Sequence, residues 1–404
     1  MNLDPSEEQR LLAASIERFV ERDYAFETRR RILASPDGYS QDVWRTMAEL
    51  GLLGLPLPAA HGGFGGGAMD TVSLMQAIGG ALIVEPWLAT VALGAQLIAR
   101  GSTQELRDEL REGLGDEQRQ RLLPAVAEGR LKLAFAHAEA AARHTLAHVA
   151  ARARAGKGGY RISGVKRAVV HGACADLLVV SARTGGDDGD AQGLSLFVVE
   201  RDAPGVSLTA LRMLDGTRAA DIAFDEVRVP ANALIGAPDR ALPLIEEVVD
   251  FATALICVEA VGAIKSANDA TLEYLKTREQ FGVAIGSFQA LQHRMVDMAI
   301  EYEQAKSIAL LACSAVDTEH DAAARSRTVS AAKARIADAC RKVSQESIQL
   351  HGGMGMSDEV KVSHTFRRLT AIAQQFGDAD HHLARFAALS DAATQTSSHS
   401  LRTA

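Results

Sequence analysis

The spacing of apolar residues changes twice along the chain, and each change predicts a change of structure. In the first stretch, apolar residues recur at intervals of three and four, which predicts a helix with one buried face: Leu11, Leu12, Ile16, Phe19 and Val20. The preceding residues, Ser6 to Gln9, read S-E-E-Q, the form of a capping box that satisfies the first amides of a helix. A second helix is predicted from Gln41 to Leu50, with Gly51 ending it. We therefore expect an N-terminal helical domain over residues 1–130.

The apolar spacing falls to two residues from about position 131. Leu131, Leu133 and Phe135 alternate with their neighbours, and further apolar runs follow at 177–181, 194–199 and 222–229. Glycine, proline and aspartate punctuate these runs, which is typical of short antiparallel strands. The pair Asp225-Glu226 interrupts the last run and predicts a bend or bulge. Strands do not alternate with helices here, so a Rossmann domain is not expected. We predict an antiparallel sheet or barrel over residues 131–238.

A helical pattern returns in the last third of the chain, over residues 239–394. It is rich in alanine and is interrupted once, at 282–286. Small residues early in this region would let helices approach closely, among them Ala252, Ala254, Ala260, Gly262 and Ala263. This pattern predicts a four-helix-type bundle. Residues 395–404 are polar and are predicted to form a frayed tail.

Composition and charge exclude several classes of protein. The chain has 404 residues, 47% hydrophobic and 23% charged, which is typical of a folded protein with two or three domains. Its net charge of −8 is spread along the sequence, so binding to a nucleic-acid backbone is not expected. The most apolar stretch, from Val84 to Ala99, is broken by polar residues and falls short of the roughly 18 apolar residues of a membrane span.

The cysteines and the first residues indicate the cellular compartment of the protein. The four cysteines are far apart and form no C-x-x-C pair, which fits a reducing compartment and excludes a zinc ribbon. The segment Met1 to Asp4 lacks the basic and apolar regions of a secretory signal. Together these features predict a cytoplasmic protein.

Two local clusters have the residue types of binding sites. The glycine-rich stretch 62–67 lacks a following Gly-Lys-Ser/Thr and a preceding strand, so an inter-helix turn is favoured over a phosphate loop. Asp378, Asp380, His381 and His382 could suggest a metal. Adjacent histidines on a helix point about 100° apart, however, so one ion cannot readily be shared. A helix N-cap at Asp378 or Asp380 is the favoured interpretation, and no metal is predicted.

Two spaced motifs carry a resemblance to a known family. The segment Arg278–Gly282, followed by Phe288-Gln289, closely resembles the R-x-Q-F-G … F-Q motif of acyl-CoA dehydrogenases. The segment Gln349–Gly355 resembles their second motif, Q-x-x-G-G-x-G. The phrases Gly164–Lys166 and Val227–Pro230 match as well. The resemblance covers nearly the whole chain. It implies an α+β fold with an N-terminal helical domain, a central antiparallel β-barrel domain and a C-terminal four-helix bundle.

The resemblance also implies FAD as the cofactor. In this family each FAD lies at a subunit interface, and the two motifs clamp the ADP half of the neighbouring subunit's cofactor. An arginine offers a planar fork of donors to a pyrophosphate, and glycines let backbone amides approach it. The residues that would bind the cofactor are then Arg278, Gln280, Phe281, Gln289, Gln349, Gly352 and Gly353.

The chemistry implied is α,β-dehydrogenation of an acyl-CoA thioester, in which a glutamate removes a proton from the α-carbon while the β-carbon gives up a hydride. The family places that glutamate at one of two positions, which here hold Phe376 and Ala252, the latter 26 residues before Arg278. Neither side chain can take a proton. Glu246, Glu247 and Asp250 lie near the second position; each could act as a displaced base, but ion pairs or a solvated helix face are favoured.

The residues that face the flavin ring in the family are also altered. Its T-E-P turn corresponds to Ala134–Glu139, without threonine or proline, and its W-I-T strand corresponds to Ala168–Val170. A chain that keeps the clamp and loses the base resembles the small subunits of two-component enzymes such as pimeloyl-CoA dehydrogenase. The implied partner is a homologous large subunit in an α₂β₂ assembly.

Two alternatives stay open. One is a self-sufficient homo-oligomeric dehydrogenase with a displaced carboxylate base, and the other is a catalytically dead acyl-CoA-binding scaffold. The sequence does not identify a catalytic residue or the acyl group.

Overall fold

The computed structural model describes residues 6–101 and 115–400. The start of the chain, where a secretory signal was not expected, and residues 401–404 of the predicted tail lie outside the described residues. Contacts divide the described residues into two compact units. The first unit comprises those within 1–29, 68–83 and 253–404, and the second those within 30–67 and 84–252. The N-terminal helical segment therefore contributes to both units. The boundaries 1–130, 131–238 and 239–394 remain a prediction.

Helices make up most of the described residues. In chain order they are α1 Glu7–Asp23, α2 Phe26–Ala34, α3 Gln41–Glu49, α4 Val72–Ala81, a π-helix Leu88–Ala95 that continues into α5 Gln96–Arg100, α6 Asp116–Ala127, α7 Leu242–Thr277, α8 Gln289–Thr318, α9 Ala322–His351, α10 Lys361–Gln374 and α11 Ala379–Ser400. Short 3-10 turns occur at Ala59–His61, Met69–Thr71, Ala231–Ala233, Ile285–Ser287 and Gly352–Met356.

The predicted helix signals near the N-terminus are confirmed. Ser6 accepts a hydrogen bond from the amide of Gln9, and the Gln9 side chain accepts one from the Ser6 amide, which completes the capping box of α1. Ile16 and Phe19 are buried on the inner face of this helix. The second predicted helix is α3, and Gly51 follows its C-cap with a φ of 75°.

One sheet of eight strands forms in the second unit. The strands are β1 Leu133–Ala136, β2 Arg152–Gly156, β3 Gly159–Val170, β4 Leu177–Arg183, β5 Leu194–Glu200, β6 Val206–Arg212, β7 Arg218–Pro230 and β8 Leu234–Ile235. Their order is β6-β7-β3-β2-β4-β5-β8, with β1 paired to β4. The sheet core is apolar and fully buried, with Ile162, Val180, Phe197 and Ile222 at its centre.

The prediction of an antiparallel sheet is right for most pairings and wrong for β1. Strand β1 pairs with β4 in parallel, and β2 meets β4 in parallel at a single position. A period of two indicates which residues share a face, but parallel and antiparallel strands have the same period. The predicted bulge is confirmed, because Asp225 and Glu226 stand opposite Ser163 alone in the β3–β7 register.

The C-terminal region forms the predicted helical bundle within the first unit. Helix α9 packs against α8, α10 and α11. The interruption expected at 282–286 overlaps a two-stranded hairpin, β9 Glu279–Gln280 and β10 Val283–Ala284, and strands were not predicted there. The tail was predicted to begin at residue 395, but α11 continues to Ser400. Alanine and serine are compatible with a helix, and a polar composition alone did not indicate its end.

Small residues let α4 and α7 approach closely, as the sequence predicted. A Cβ atom added to Gly79 would collide with the carbonyl oxygen of Glu259, and one added to Gly262 would collide with that of Gln76. The two helix backbones are therefore in contact at this crossing. No other residue type fits at these two positions without moving the helices apart.

Candidate functional site

The first motif forms an exposed hairpin at the end of α7. Phe281 and Gly282 connect β9 to β10 with φ values of 54° and 79°, so both central residues adopt the left-handed conformation of a type I′ turn. A phenylalanine is rare in this conformation. Its ring is 92% exposed and stands edge-on to Phe288, with the ring centroids 6.2 Å apart. The turn therefore presents an apolar ring to the outside.

Arg278 occupies the junction between α7 and the hairpin. Its amide donates to the carbonyl of Tyr274 at 2.8 Å, and its own carbonyl accepts from Ile285 at 2.9 Å, which fixes the backbone. The side chain is exposed and makes no hydrogen bond or ion pair with any residue that the structure describes. The guanidinium is thus positioned by its backbone and available to an outside anion. Gln280 and Gln289 are also exposed, at the hairpin and at the start of α8.

The second motif ends α9 in an open turn. Gln349 is exposed on the last helical turn. Gly352 has φ 58° and ψ −141°, a conformation that side-chain-bearing residues avoid. Gly353 has no such constraint, and a Cβ added to either glycine would meet nothing within 4 Å among the described residues. Packing within the described residues gives no reason for a glycine at 353, which is consistent with a close approach by something outside.

The structure brings the two motifs together. Tyr274, one turn before Arg278, stacks on His351, which directly precedes Gly352; the ring centroids are 4.5 Å apart and the planes are inclined by 24°. The Nε atom of Arg294 in α8 bonds Oε2 of Glu346 in α9 at 2.6 Å. Both contacts lie within the first unit. The ends of α7 and α9 are therefore held side by side, with the exposed residues of both motifs at this end.

The residues at this end fit the ADP half of a dinucleotide. A guanidinium is available for a pyrophosphate, two glycines leave open space beside the backbone where a Cβ would stand, and Phe281 offers an apolar face. The assignment of Arg278, Gln280, Phe281, Gln289, Gln349, Gly352 and Gly353 to a cofactor nevertheless remains a prediction.

The first predicted position for a base is a strained turn without a carboxylate. Phe376 has a φ of 62° and its carbonyl accepts a hydrogen bond from Nε2 of His382 at 3.0 Å. Gly377 has a φ of 116°, and a Cβ there would clash with the rings of His381 and His382. Asp378 caps α11, since its side chain accepts the amide of His381 at 2.9 Å. The N-cap interpretation is therefore confirmed.

A buried lysine supports the same turn and was missed by the sequence analysis. Nζ of Lys333 donates to the carbonyls of Gly377 at 2.7 Å and Ala373 at 3.2 Å. The side chain is fully buried, and burial lowers its pKa. The ammonium therefore lies against carbonyls at and just beyond the C-terminal end of α10, where the helix dipole favours a cation. The available signal was a lysine flanked by alanines, Ala332-Lys333-Ala334, on a helix face of small and apolar residues.

The second predicted position for a base also has no group that can accept a proton. Ala252 is fully buried in α7. Of the nearby carboxylates, Glu247 pairs with Arg100 at 2.7 Å, which confirms the ion-pair interpretation for that residue. Asp250 is 1% exposed, and both it and Glu246 make interactions in the structure.

The residues aligned with the flavin-facing turn belong to a buried polar network in the second unit. Nδ1 of His137 is hydrogen-bonded to Oγ of Ser181 at 2.9 Å, and its ring stacks on Phe135. Nζ of Lys166 bonds Glu139 at 2.7 Å and Ser181 at 3.0 Å. Burial lowers the pKa of Lys166 to about 8, and the Glu139 carboxylate opposes that shift. These side chains satisfy one another inside the unit.

The strand aligned with the family's W-I-T segment presents no ring or hydroxyl. Ala168 sits in a bulge of β3 with a φ of 47°, and its amide donates to Asp221 at 2.9 Å. Val169 is buried in the sheet core. An aromatic side chain and a hydroxyl donor are therefore missing from the segment Ala168–Val170, as the sequence predicted.

Two buried histidines make the fold sensitive to acid. Burial, reinforced by the charge of Lys166, lowers the pKa of His137 to about 3, and burial with the charge of Lys333 lowers that of His382 to about 3. Between the usual histidine pKa of about 6.5 and these values, the unfolded chain binds protons that the folded chain does not. Stability is therefore lost as the pH falls from about 6.5 towards 3.

We expect the free energy of unfolding to fall between pH 7 and pH 5 by at most about 2 kcal/mol for each histidine. Urea denaturation at several pH values measures this. His382→Gln should make the dependence of stability on pH less steep over this range, and an exposed control, His320→Gln, should not. An unchanged slope in His382→Gln would show that this histidine does not titrate as described.

Neither a metal cluster nor a membrane span is found in the part of the chain that the structure describes. Within residues 6–101 and 115–400, no three His, Cys, Asp or Glu side chains are grouped to hold an ion. In the same ranges, every helix is too short or too polar to cross a bilayer.

Known proteins resemble the chain along nearly its whole length. Three family models match successive parts of the chain: acyl-CoA dehydrogenase N-terminal domain at residues 6–115, middle domain at 134–227 and C-terminal domain at 242–388. Acyl-CoA dehydrogenase FadE12 of Mycobacterium tuberculosis is 30% identical over 343 residues, which cover 83% of this chain and 84% of that protein.

Two solved structures share the fold over 96% of this chain. The Tcur3481-Tcur3483 steroid ACAD variant is 28% identical, with a TM-score of 0.83 and 99% of its chain covered. The ChsE4-ChsE5 complex from Mycobacterium tuberculosis is 25% identical, with a TM-score of 0.80 and 98% covered. The predicted arrangement of helical, β and helical regions is thereby confirmed.

Proposed function

The chain belongs to the acyl-CoA dehydrogenase family of FAD-dependent oxidoreductases, and we propose that within it this chain is the non-catalytic small subunit of a heteromeric enzyme. In this role it lends the clamp of its two motifs to the FAD of a larger partner, as in two-component enzymes of the pimeloyl-CoA dehydrogenase type. The proposed reaction of the complex is α,β-dehydrogenation of an acyl-CoA thioester, for which bound FAD would accept the hydride.

The observation that carries this proposal is that, within the first unit, the turn at Phe376 lacks a base while the ends of α7 and α9 keep the residues of the clamp. The turn at Phe376 keeps an elaborate support, with Lys333 and His382 holding its carbonyls, but presents a phenyl ring where the family has its base. The ends of α7 and α9 retain every residue type expected of the clamp. A chain under no demand for flavin chemistry would have no use for an exposed Arg278 and Phe281.

The residues aligned with the family's flavin-facing positions support the same conclusion. Ala168 and Val170 supply neither the aromatic wall nor the hydroxyl that the family uses at the ring. His137 and Glu139 are committed to a buried network with Lys166 and Ser181. The residues at these positions therefore stabilise the sheet and leave the ring without its usual contacts.

A heteromeric relative supports the proposal of a partner chain. The ChsE4-ChsE5 assembly is described as a complex, and the present chain covers 98% of the matched chain. In such an assembly each chain would contribute a different part of the site. One of the two chains would then suffice to supply the base and the pocket for the flavin ring.

The flavin content of the purified chain tests the proposal. We expect little FAD when the chain is produced alone, and FAD in an absorbance spectrum when it is co-produced with a larger family member encoded nearby. Stoichiometric FAD and dehydrogenase turnover in the chain alone would instead support the homo-oligomeric alternative with a displaced base. A lack of FAD under both conditions would support the acyl-CoA-binding scaffold.

We further expect the protein to be oligomeric, because the clamp faces outward and several apolar side chains of the bundle are exposed, including Val296, Ile300 and Met356. Analytical ultracentrifugation, with and without the partner, measures this. Val296→Asp should weaken assembly, whereas Leu11→Asp, on the exposed side of α1, should not. Sedimentation as a stable monomer under both conditions would refute this expectation.

A further inference from the structure

A pocket in the first unit lies apart from the two motif turns and the strained turn at Phe376. It has a volume of about 410 Å³ and is formed by α4, α7, α8 and the first residue of α10. Its polar lining consists of Gln76, Lys265, Ser266, Asp269, Tyr302 and Lys361. The volume lies within the range of pockets that hold small ligands, about 300–1,000 Å³.

The helix crossing described above makes this pocket possible. Gly80 and Gly262 also line it, and a Cβ on Gly80 would stand 3.6 Å from the carbonyl of Gly262. Side chains are absent where α4 and α7 meet, so the polar side chains farther along α7 can converge on an open space. The backbone at Gly80 and Gly262 therefore forms part of the pocket wall, between two packed helices.

The charge of the pocket is not balanced within the described residues. Lys265 is neutralised by Asp269, with Nζ and Oδ2 2.6 Å apart. The side chain of Lys361 is half-buried, and its ammonium forms no hydrogen bond or ion pair with any residue the structure describes. Burial and the nearby positive charge of Arg29 lower the pKa of Lys361, while Asp269 acts to raise it. Because Asp269 pairs with Lys265, the positive charge of Lys361 remains uncompensated.

The position of Lys361 strengthens this positive potential. It is the first residue of α10, a helix of 14 residues, and the N-cap is Val360, which offers no side-chain hydrogen bond. The positive end of the helix dipole therefore adds to the ammonium charge. The pocket thus holds two lysines beside a helix N-terminus but one carboxylate, Asp269, and a further anion would stabilise this arrangement.

We propose that this pocket binds a compact phosphate-bearing anion, held by Lys361 and Lys265 and hydrogen-bonded by Tyr302, Ser266 or Gln76. Lys361 supplies the uncompensated positive charge, and the ammonium of Lys265, although paired with Asp269, has further N–H groups to donate to the anion. The three neutral donors can serve the additional oxygens that a phosphate has and a carboxylate lacks. This inference is independent of the proposed subunit role, because none of these residues belongs to the two clamp motifs.

The test is calorimetric titration of the full chain with inorganic phosphate and with glycerol 3-phosphate. We expect one site per chain, with affinity reduced at least tenfold in Lys361→Met and unchanged in Lys157→Gln, an exposed control. Arg278→Ala should retain this binding, which separates the pocket from the clamp. Binding of glycerol 3-phosphate as well as inorganic phosphate would indicate a monoester ligand, and binding of inorganic phosphate alone would indicate the free ion.

A stability measurement keeps the proposal testable if Lys361→Met changes folding. Removing an uncompensated cation should leave the unfolding midpoint of Lys361→Met equal to or above that of the natural chain without phosphate. Phosphate should then raise the midpoint of the natural chain and not that of the variant. Equal phosphate affinity in Lys361→Met, or tighter binding of succinate than of phosphate, would overturn the proposal.

Discussion

Replacing Arg278 by alanine is expected to weaken FAD retention by the complex roughly 10- to 100-fold, which corresponds to the loss of a charged hydrogen bond of about 1.5–3 kcal/mol. The side chain is exposed and unpaired among the described residues, while hydrogen bonds to Tyr274 and Ile285 hold its backbone. Its removal should therefore change the affinity for a pyrophosphate without disturbing the fold. Fluorescence of FAD released on dialysis measures the effect.

Two matched variants sharpen this test. Arg278→Lys keeps the charge but loses the planar fork, so we expect an intermediate loss. Arg154→Ala removes an exposed arginine from β2 in the other unit and should leave retention unchanged. If Arg278→Ala holds FAD as tightly as Arg154→Ala, the clamp assignment is wrong.

Much of the fold followed from periodicity, because burial on one face imposes a spacing that differs between helix and strand. The capping box at Ser6 and the bulge at Asp225-Glu226 were readable because they depend on neighbouring residues only. The parallel pairing of β1 with β4 was not readable, since strand direction depends on where the chain travels between them. The hairpin at Phe281 appeared in the sequence only as an interruption.

Less of the candidate site was readable, because its support comes from distant parts of the chain. Lys333 lies 44 residues before Gly377, and no local pattern indicates that its ammonium holds that carbonyl. The same holds for Lys361, whose environment depends on the crossing of α4 with α7. Motif residues could be placed because spacing identified them; the stacking of Tyr274 on His351 that joins the motifs required the structure.

Turnover of the reconstituted complex should stay within a few-fold of its normal value when any one of three carboxylates near the two base positions of this chain is neutralised. The variants are Glu247→Gln, Asp250→Asn and Asp378→Asn. Glu247 is engaged by Arg100 and Asp378 by the α11 N-terminus, where asparagine also caps well, so neither is free to take a proton from substrate. Removal of a positioned general base costs about 10²–10⁴-fold in rate, and we expect that loss only for the corresponding glutamate of the partner.

A loss of about two orders of magnitude in one of these three variants, with FAD still bound, would show that this chain is catalytic. Circular dichroism and flavin absorbance are needed alongside turnover, because Asp250 is 1% exposed and its neutralisation can also affect folding. The converse substitution, Ala252→Glu, should not create activity in the chain alone. Position 252 is fully buried, so a carboxyl there would be held neutral or would destabilise the helix packing, and Ala168 and Val170 would still leave the flavin ring without its contacts.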